Sequence, residues 1–171
     1  LLEPSRSNLI TQSEYFDSWN KGNATISTNA TTSPEGVSNA AKLIGSSGVS
    51  DKFIRQFITY ASGSHSFSVY AKQDEANWLQ FIIYDGSNHF GYFNLATGAL
   101  GNQDAGFTST MTDVGNGWYK IEVIFTTAAF SGQWKVMLSD GNGSVNFTGN
   151  GSDGLYIYGA QLEAGSYPTS Y

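Results

Sequence analysis

Short runs of alternating apolar and polar residues, split by Gly, Asn, Asp and Ser, follow one another along almost the whole chain. No stretch carries a helical period of about 3.6. Side chains of a strand point alternately to its two faces, so this pattern predicts an all-β sandwich or barrel. The candidate strands cover residues 8–11, 24–28, 40–45, 52–60, 64–72, 77–84, 88–95, 107–112, 118–125, 133–139 and 155–162. Asp85-Gly86, Asn116-Gly117, Asp140-Gly141 and Asn142-Gly143 mark tight turns that call for positive φ. Nothing reads as a linker or an internal repeat, and residues 1–171 are expected to form a single β-sandwich domain.

Assigning odd and even positions to faces separates two kinds of strand. In Ser66 to Lys72 the apolar set Phe67, Val69 and Ala71 faces the core and leaves Ser66, Ser68 and Lys72 to water. In Trp118 to Phe125 the core set is Tyr119, Ile121, Val123 and Phe125, with Lys120 and Glu122 outward as an exposed cross-strand ion pair. Three other strands are apolar or aromatic on both faces. Leu79, Phe81 and Ile83 suit the core, which leaves Trp78, Gln80, Ile82 and Tyr84 outside. Ile54 and Ile58 likewise turn Phe53, Arg55 and Phe57 outward, and Phe93 with Leu95 leaves Phe90, Tyr92 and Asn94 on the other side. If these strands share a sheet, its outer face is an aromatic platform studded with polar side chains, Lys135 among them.

Such a face marks an interaction surface, unless a loop, the N-terminal segment or another subunit covers it. Flat rings beside planar hydrogen-bonding groups suit a sugar, which offers C–H faces for stacking and hydroxyls for bridging. The candidate ligand-binding residues are Trp78, Tyr84, Tyr92 and Phe57 for stacking, with Arg55, Gln80, Asn94 and Lys135 for hydrogen bonds. Trp19, Trp118 and Trp134 are assigned to packing.

Composition narrows the partners. Eight basic against 14 acidic residues give a net charge of -6, which removes the electrostatic term that drives binding to nucleic acid or anionic membrane. No apolar run approaches a membrane span, which needs about 20 residues, and no signal peptide is evident. The chain contains no cysteine, so disulfides and thiolate chemistry are excluded. It opens on Leu1 rather than Met, which suggests a module of a longer polypeptide. Glycosylation sequons at Asn23, Asn29, Asn142, Asn146 and Asn150 are expected by chance in a chain this rich in Asn, Ser and Thr.

Several segments, taken in order, resemble the β-jelly-roll carbohydrate-binding modules of glycoside hydrolases and of phage tail and virion proteins. They are the opening Leu1 to Ile10, Ser13 to Asp17 with Trp19, Pro34-Glu35-Gly36 leading to Ala41-Lys42-Leu43, and His65 to Lys72. Asp113 to Lys120, Tyr156 to Glu163 and the ending Gly165 to Tyr171 complete the set. The resemblance implies a two-sheet antiparallel sandwich in which consecutive strands alternate between sheets, with 52–60, 77–84, 88–95 and 133–139 lying together. It places the ligand groove on that sheet and implies a polysaccharide or oligosaccharide ligand, an extracellular or virion-associated location, and domains of the parent protein or virion subunits as further partners. A fibre assembly domain that uses the aromatic face as a subunit interface is the alternative.

Relatives of this kind often hold a structural calcium near the first and last strands. Glu14 and Asp17 could contribute oxygen ligands here, but Gly159-Ala160-Gln161 stands where many relatives have acidic residues. No cofactor is otherwise expected. The platform strands lack the paired carboxylates a glycan hydrolase needs, and neither His65 nor His89 lies in a catalytic motif, so a non-catalytic role is expected.

Overall fold

A computed structural model describes residues 6–169. The chain enters through a 3-10 turn at Phe16–Ser18 and then forms β1 (Asn20–Gly22), β2 (Ala24–Thr31), β3 (Ala40–Gly45), β4 (Gly48–Ser50) and β5 (Lys52–Tyr60). There follow β6 (Gly63–Gln73), β7 (Trp78–Tyr84), β8 (Asn88–Asn94), β9 (Ala99–Gln103) and β10 (Thr108–Gly115). The last strands are β11 (Trp118–Thr127), β12 (Phe130–Ser139), β13 (Phe147–Gly149) and β14 (Gly154–Ala164). One sheet has the order β1-β5-β12-β7-β8-β9, the other β10-β11-β6-β14-β3-β2, and β13 pairs with β4 at the side. Every pairing is antiparallel, so the molecule is the expected β-sandwich.

The strands grouped by the resemblance do share one sheet, but β7, β8 and β9 run as a meander instead of alternating between sheets. Strands β1, β4, β9 and β13 escaped the sequence reading because each is too short or too glycine-rich to show alternation. The segment 8–11 is not a strand. It is tied to β14 by a bond from the Leu9 amide to the Leu162 carbonyl (2.7 Å), while the Asn8 side chain caps the Leu162 and Ile10 amides.

Between the sheets, Ile54, Leu79, Phe81, Phe93, Trp134 and Val136 meet Leu43, Phe67, Val69, Ile121, Val123 and Ile157. The Phe67 and Phe81 rings stack across the interior at 4.1 Å, and Trp134 lies 5.0 Å from Phe67. Trp19 closes over Trp134 edge-on at 4.9 Å. Fully burying each such ring contributes roughly 1.5–3 kcal/mol. Trp118 is also buried, but on the outer face of the second sheet, where its indole N–H donates to the Thr32 carbonyl at 3.1 Å.

Two expectations about that sheet fail. Ser66 and Ser68 are buried, because they are the smallest members of their rows, flanked by Ile124 and Glu163 and by Glu122 and Gln161. Lys120 and Glu122 do pair, at 2.7 Å, but along one strand and not across two. The turns follow chemistry more closely. Asn116 and Gly117 both take positive φ (54° and 78°), as a two-residue hairpin requires, whereas in the segment after β12 positive φ falls on Gly143 (85°) and not on Gly141.

Candidate functional site

The outer face of the first sheet consists of three rows that cross its four central strands. The register sets Phe53, Met137, Gln80 and Tyr92 side by side, then Arg55, Lys135, Ile82 and Phe90, then Phe57, Gln133, Tyr84 and Asn88. The first row is the most buried. Phe53, Ile82 and Met137 form a small apolar cluster of their own, separate from the main core.

A groove of about 380 Å³ runs over this face, with Gln80, Ile82 and Tyr92 as its floor and Asn88, Phe90 and Asn102 along its sides. Its far wall is Gly143 and Val145, from the loop between β12 and β13. That loop is held down at several points. The Ser139 hydroxyl lies 2.7 Å from the carbonyl oxygens of Gly141 and Ser144. Asp140 accepts from the Thr148 amide and hydroxyl, both at 2.8 Å. Asn142 then clasps β9: its Oδ1 accepts from the Asn102 amide (2.6 Å) and its Nδ2 donates to Asn102 Oδ1 (3.1 Å). Part of the aromatic face is therefore covered by a loop, and the remainder becomes a groove.

Within the floor, Gln80 Nε2 donates to the Tyr92 hydroxyl at 2.8 Å, with the two residues only 1% and 2% exposed. Gln80 Oε1 is buried with no partner among the described residues. Burial raises the Tyr92 phenol above its ordinary value, partly offset by the bond from Gln80. The rings that remain open are Phe57 (65% exposed), Tyr84 (38%) and Phe90 (36%). Tyr84 is braced edge-on by Phe130 at 6.3 Å and Phe90 by Tyr92 at 5.8 Å.

Beside the groove, Lys135 and Arg55 face each other across β12 and β5. The Lys135 ammonium sits 4.6 Å over the Phe53 ring, and the Arg55 guanidinium lies 5.4 Å from Phe53 and 5.0 Å from Phe57. Arg55 Nη1 donates to Gln133 Oε1 at 2.8 Å. Burial, and then the charge of Arg55, hold the Lys135 ammonium below its ordinary value. Arg55 and Phe57 also line a second cleft of about 280 Å³ with Asn20, Ser18 and Gln56.

Six of the eight sequence-predicted residues lie in the three rows of this face: Arg55, Phe57, Tyr84 and Lys135 on its open part, and Gln80 and Tyr92 buried in the floor. Two are placed differently. Trp78 lies at the foot of the loop, half-buried and outside the groove lining; a methyl group on Gly101 would come within 2.7 Å of its ring and 2.5 Å of Asn142 Oδ1. Asn94 spends its Oδ1 on the Ala96 amide (2.9 Å), shaping the turn into β9. Groove residues that sequence reasoning did not single out are Asn88, Asn102, Gly143 and Val145. The alternation around Phe90 signals Asn88, but nothing local places the loop over the sheet.

Other polar clusters lie elsewhere. His89 has Asp85 Oδ1 at 3.1 Å from Nε2 and Asp104 Oδ1 at 3.3 Å from Nδ1, and Thr127 donates to Asp85 Oδ2 at 2.8 Å. Burial alone would raise the Asp85 carboxyl, but the Thr127 hydroxyl and His89 hold it below the usual carboxylate range. His65 is buried against Tyr60 and Phe125, and burial lowers its imidazole. Of the carboxylates considered for calcium, Asp17 pairs with Lys21 at 3.0 Å and Glu14 accepts from the Tyr158 hydroxyl at 3.4 Å. Among the described residues no three His, Asp or Glu side chains are arranged to hold a metal ion. No described helix is long and apolar enough to cross a membrane.

No family model matches this sequence, and no curated protein matches it. Solved structures that share its fold include the following two. The carbohydrate-binding module TmCBM61, in complex with β-1,4-galactotriose, superposes with a TM-score of 0.55 at 11% identity, over 91% of this chain and 97% of that one. The enzymatically active domain of bacteriophage CBA120 tailspike protein 4 gives a TM-score of 0.51 at 11% identity, over 91% of this chain but 21% of that one. At such identity the likeness shows the sandwich fold.

Proposed function

We propose that the protein is a non-catalytic carbohydrate-binding module that attaches a phage structural protein or a secreted carbohydrate-active enzyme to a polysaccharide, outside the cell or on a virion. The observation that carries this reading is the groove on the first sheet. Its lining joins apolar surface from Ile82, Phe90 and Val145 to the neutral donors and acceptors of Asn88 and Asn102, over a floor of Gln80 and Tyr92. A sugar ring needs both, a flat apolar contact and convergent hydrogen bonds. Among the described residues no carboxylate or histidine lines the groove, which favours binding over hydrolysis, since glycoside hydrolysis ordinarily requires two carboxylates about the scissile bond. The fold shared with a galactotriose-binding module is consistent with this function.

Single-site affinity is expected in the micromolar to millimolar range, about 4–8 kcal/mol, with repeated copies supplying retention. The test is a binding screen against neutral and acidic polysaccharides, run beside Phe90→Ala, a half-open position whose truncation spares the core. Binding that Phe90→Ala abolishes supports the groove. Binding unaffected by it moves the site off this face, and new reducing ends in the same assay would show an enzyme.

One observation favours a second reading, an assembly domain of a virion or fibre. Phe57 is 65% exposed on the same face, and an aromatic ring so open is suited to a subunit contact. Size-exclusion chromatography separates the two, because an interface of this kind should yield oligomers.

A further inference from the structure

Resting on the glycan-binding reading, we infer that the bound polysaccharide is acidic and that Arg55 and Lys135 form the subsite for its carboxylate. Like charges placed directly across two strands repel, yet Arg55 and Lys135 occupy opposed positions on the outer face of β5 and β12. The chain carries 14 acidic residues, and Lys21, Lys42 and Lys120 each have a carboxylate partner within 3.0 Å. Among the described residues, Arg55 and Lys135 have none within 4.0 Å; Arg6, Lys52 and Lys72 share that lack, but only Arg55 and Lys135 are set directly opposite another cation.

Their hydrogen-bonding capacity is also left over. Lys135 makes no hydrogen bond to any described residue and rests only on the Phe53 ring. Arg55 uses Nη1 on Gln133, while Nη2 bonds to no described residue and the buried Nε has no partner among the described residues. Both cations are thus held in place by aromatic rings and an amide, with donors to spare, and the charge of Asp51 offsets their repulsion only in part, since the Lys135 ammonium stays below its ordinary value. An anion between them would answer both conditions. A carboxylate suits the pair, because guanidinium and ammonium each bond it with charge assistance.

Position ties this pair to the groove. Lys135 is in register with Ile82, which forms the groove floor beside Phe90, so the row Arg55, Lys135, Ile82, Phe90 is continuous across four strands. At a strand spacing of about 4.8 Å it extends roughly 14 Å, long enough for consecutive sugars of one chain. A ring seated on Phe90 and Ile82 would carry its neighbour over Lys135.

The experiment measures binding of the full chain to polygalacturonate, alginate and hyaluronan, each beside its carboxyl-reduced neutral form, at low and high salt. Lys135→Gln and Arg55→Lys are run in parallel, with folding checked by circular dichroism and Lys135→Arg as the charge-conserving control. The expected result is that an acidic form binds about tenfold or more tighter than its reduced counterpart, that salt weakens this preference, and that Lys135→Gln erases it while Lys135→Arg retains it. Equal binding of acidic and reduced forms, or a preference untouched by Lys135→Gln, would overturn the anion subsite and leave the glycan-binding reading standing. Silence toward every polysaccharide in both forms would overturn the two together.

Discussion

Removing the hydroxyl of Tyr92 should destabilise the protein more than removing the whole polar pair to which it belongs. Gln80 and Tyr92 are 1% and 2% exposed and share one bond of 2.8 Å, while Gln80 Oε1 already lacks a partner among the described residues. In Tyr92→Phe the Gln80 amide keeps its burial and loses its one partner, a change that costs about 1–3 kcal/mol. Gln80→Leu strands the Tyr92 hydroxyl but also removes an unsatisfied oxygen, so its cost is smaller, about 1 kcal/mol. The double variant replaces both polar groups by apolar ones of similar shape and should lie within about 1 kcal/mol of the parent. Coupling of at least about 1 kcal/mol between the two sites follows. For a chain of this size 1 kcal/mol shifts Tm by about 2–4 °C, so urea unfolding with thermal melts resolves the four proteins. If the double variant loses as much stability as the two single variants added together, the pair is not energetically coupled and the reasoning fails. The same double variant, folded but with an apolar floor, should bind glycan more weakly than the parent.

Asn142→Ala cuts both bonds that clasp the loop to β9, and because the site is exposed it should cost no more than about 1 kcal/mol while weakening glycan binding; unchanged affinity by calorimetry would show that the loop wall is dispensable. Asp85 is held below its ordinary value of 3.8 in the folded state, so its carboxylate adds stability above that pH and loses it as pH falls through the lowered value. Asp85→Asn should therefore destabilise at neutral pH, with the difference shrinking in melts taken below pH 3.8. Lys135 shows the opposite consequence of a lowered value: the folded state disfavours its charge at neutral pH and is relieved as pH rises toward 10.5. Lys135→Met should accordingly raise Tm at neutral pH, an advantage that fades near pH 10.5, and a lower Tm at neutral pH would show that the contact with Phe53 outweighs the repulsion.

The faces of the central strands were legible from the order of residues because alternation is a property of each strand by itself. Ile54 and Ile58, and Leu79, Phe81 and Ile83, are buried between the sheets, while Arg55, Phe57, Gln80 and Tyr84 stand on the outer side as their positions require. Trp78 stands on the expected face, but exposure on that face depends on what lies above it, and the approach of Gly101 and Asn142 cannot be seen in an alternating pattern. An outward Asn reads alike in sequence whether it meets a sugar or, as Asn94 Oδ1 does, caps its own turn.

From the sequence alone follow the all-β class, the alternation that builds one core, and the two-sided apolar character of three strands that makes their outer face a surface for binding. Those features are local, set by residue type and a period of two. Tertiary structure alone decides that β12 enters between β5 and β7, which sets Lys135 between Arg55 and Ile82, and that the loop after β12 crosses to Asn102 and turns an open face into a groove. Strand order and loop path depend on contacts between residues far apart in the chain, as in the clasp of Asn102 by Asn142, and no window along the sequence contains both partners.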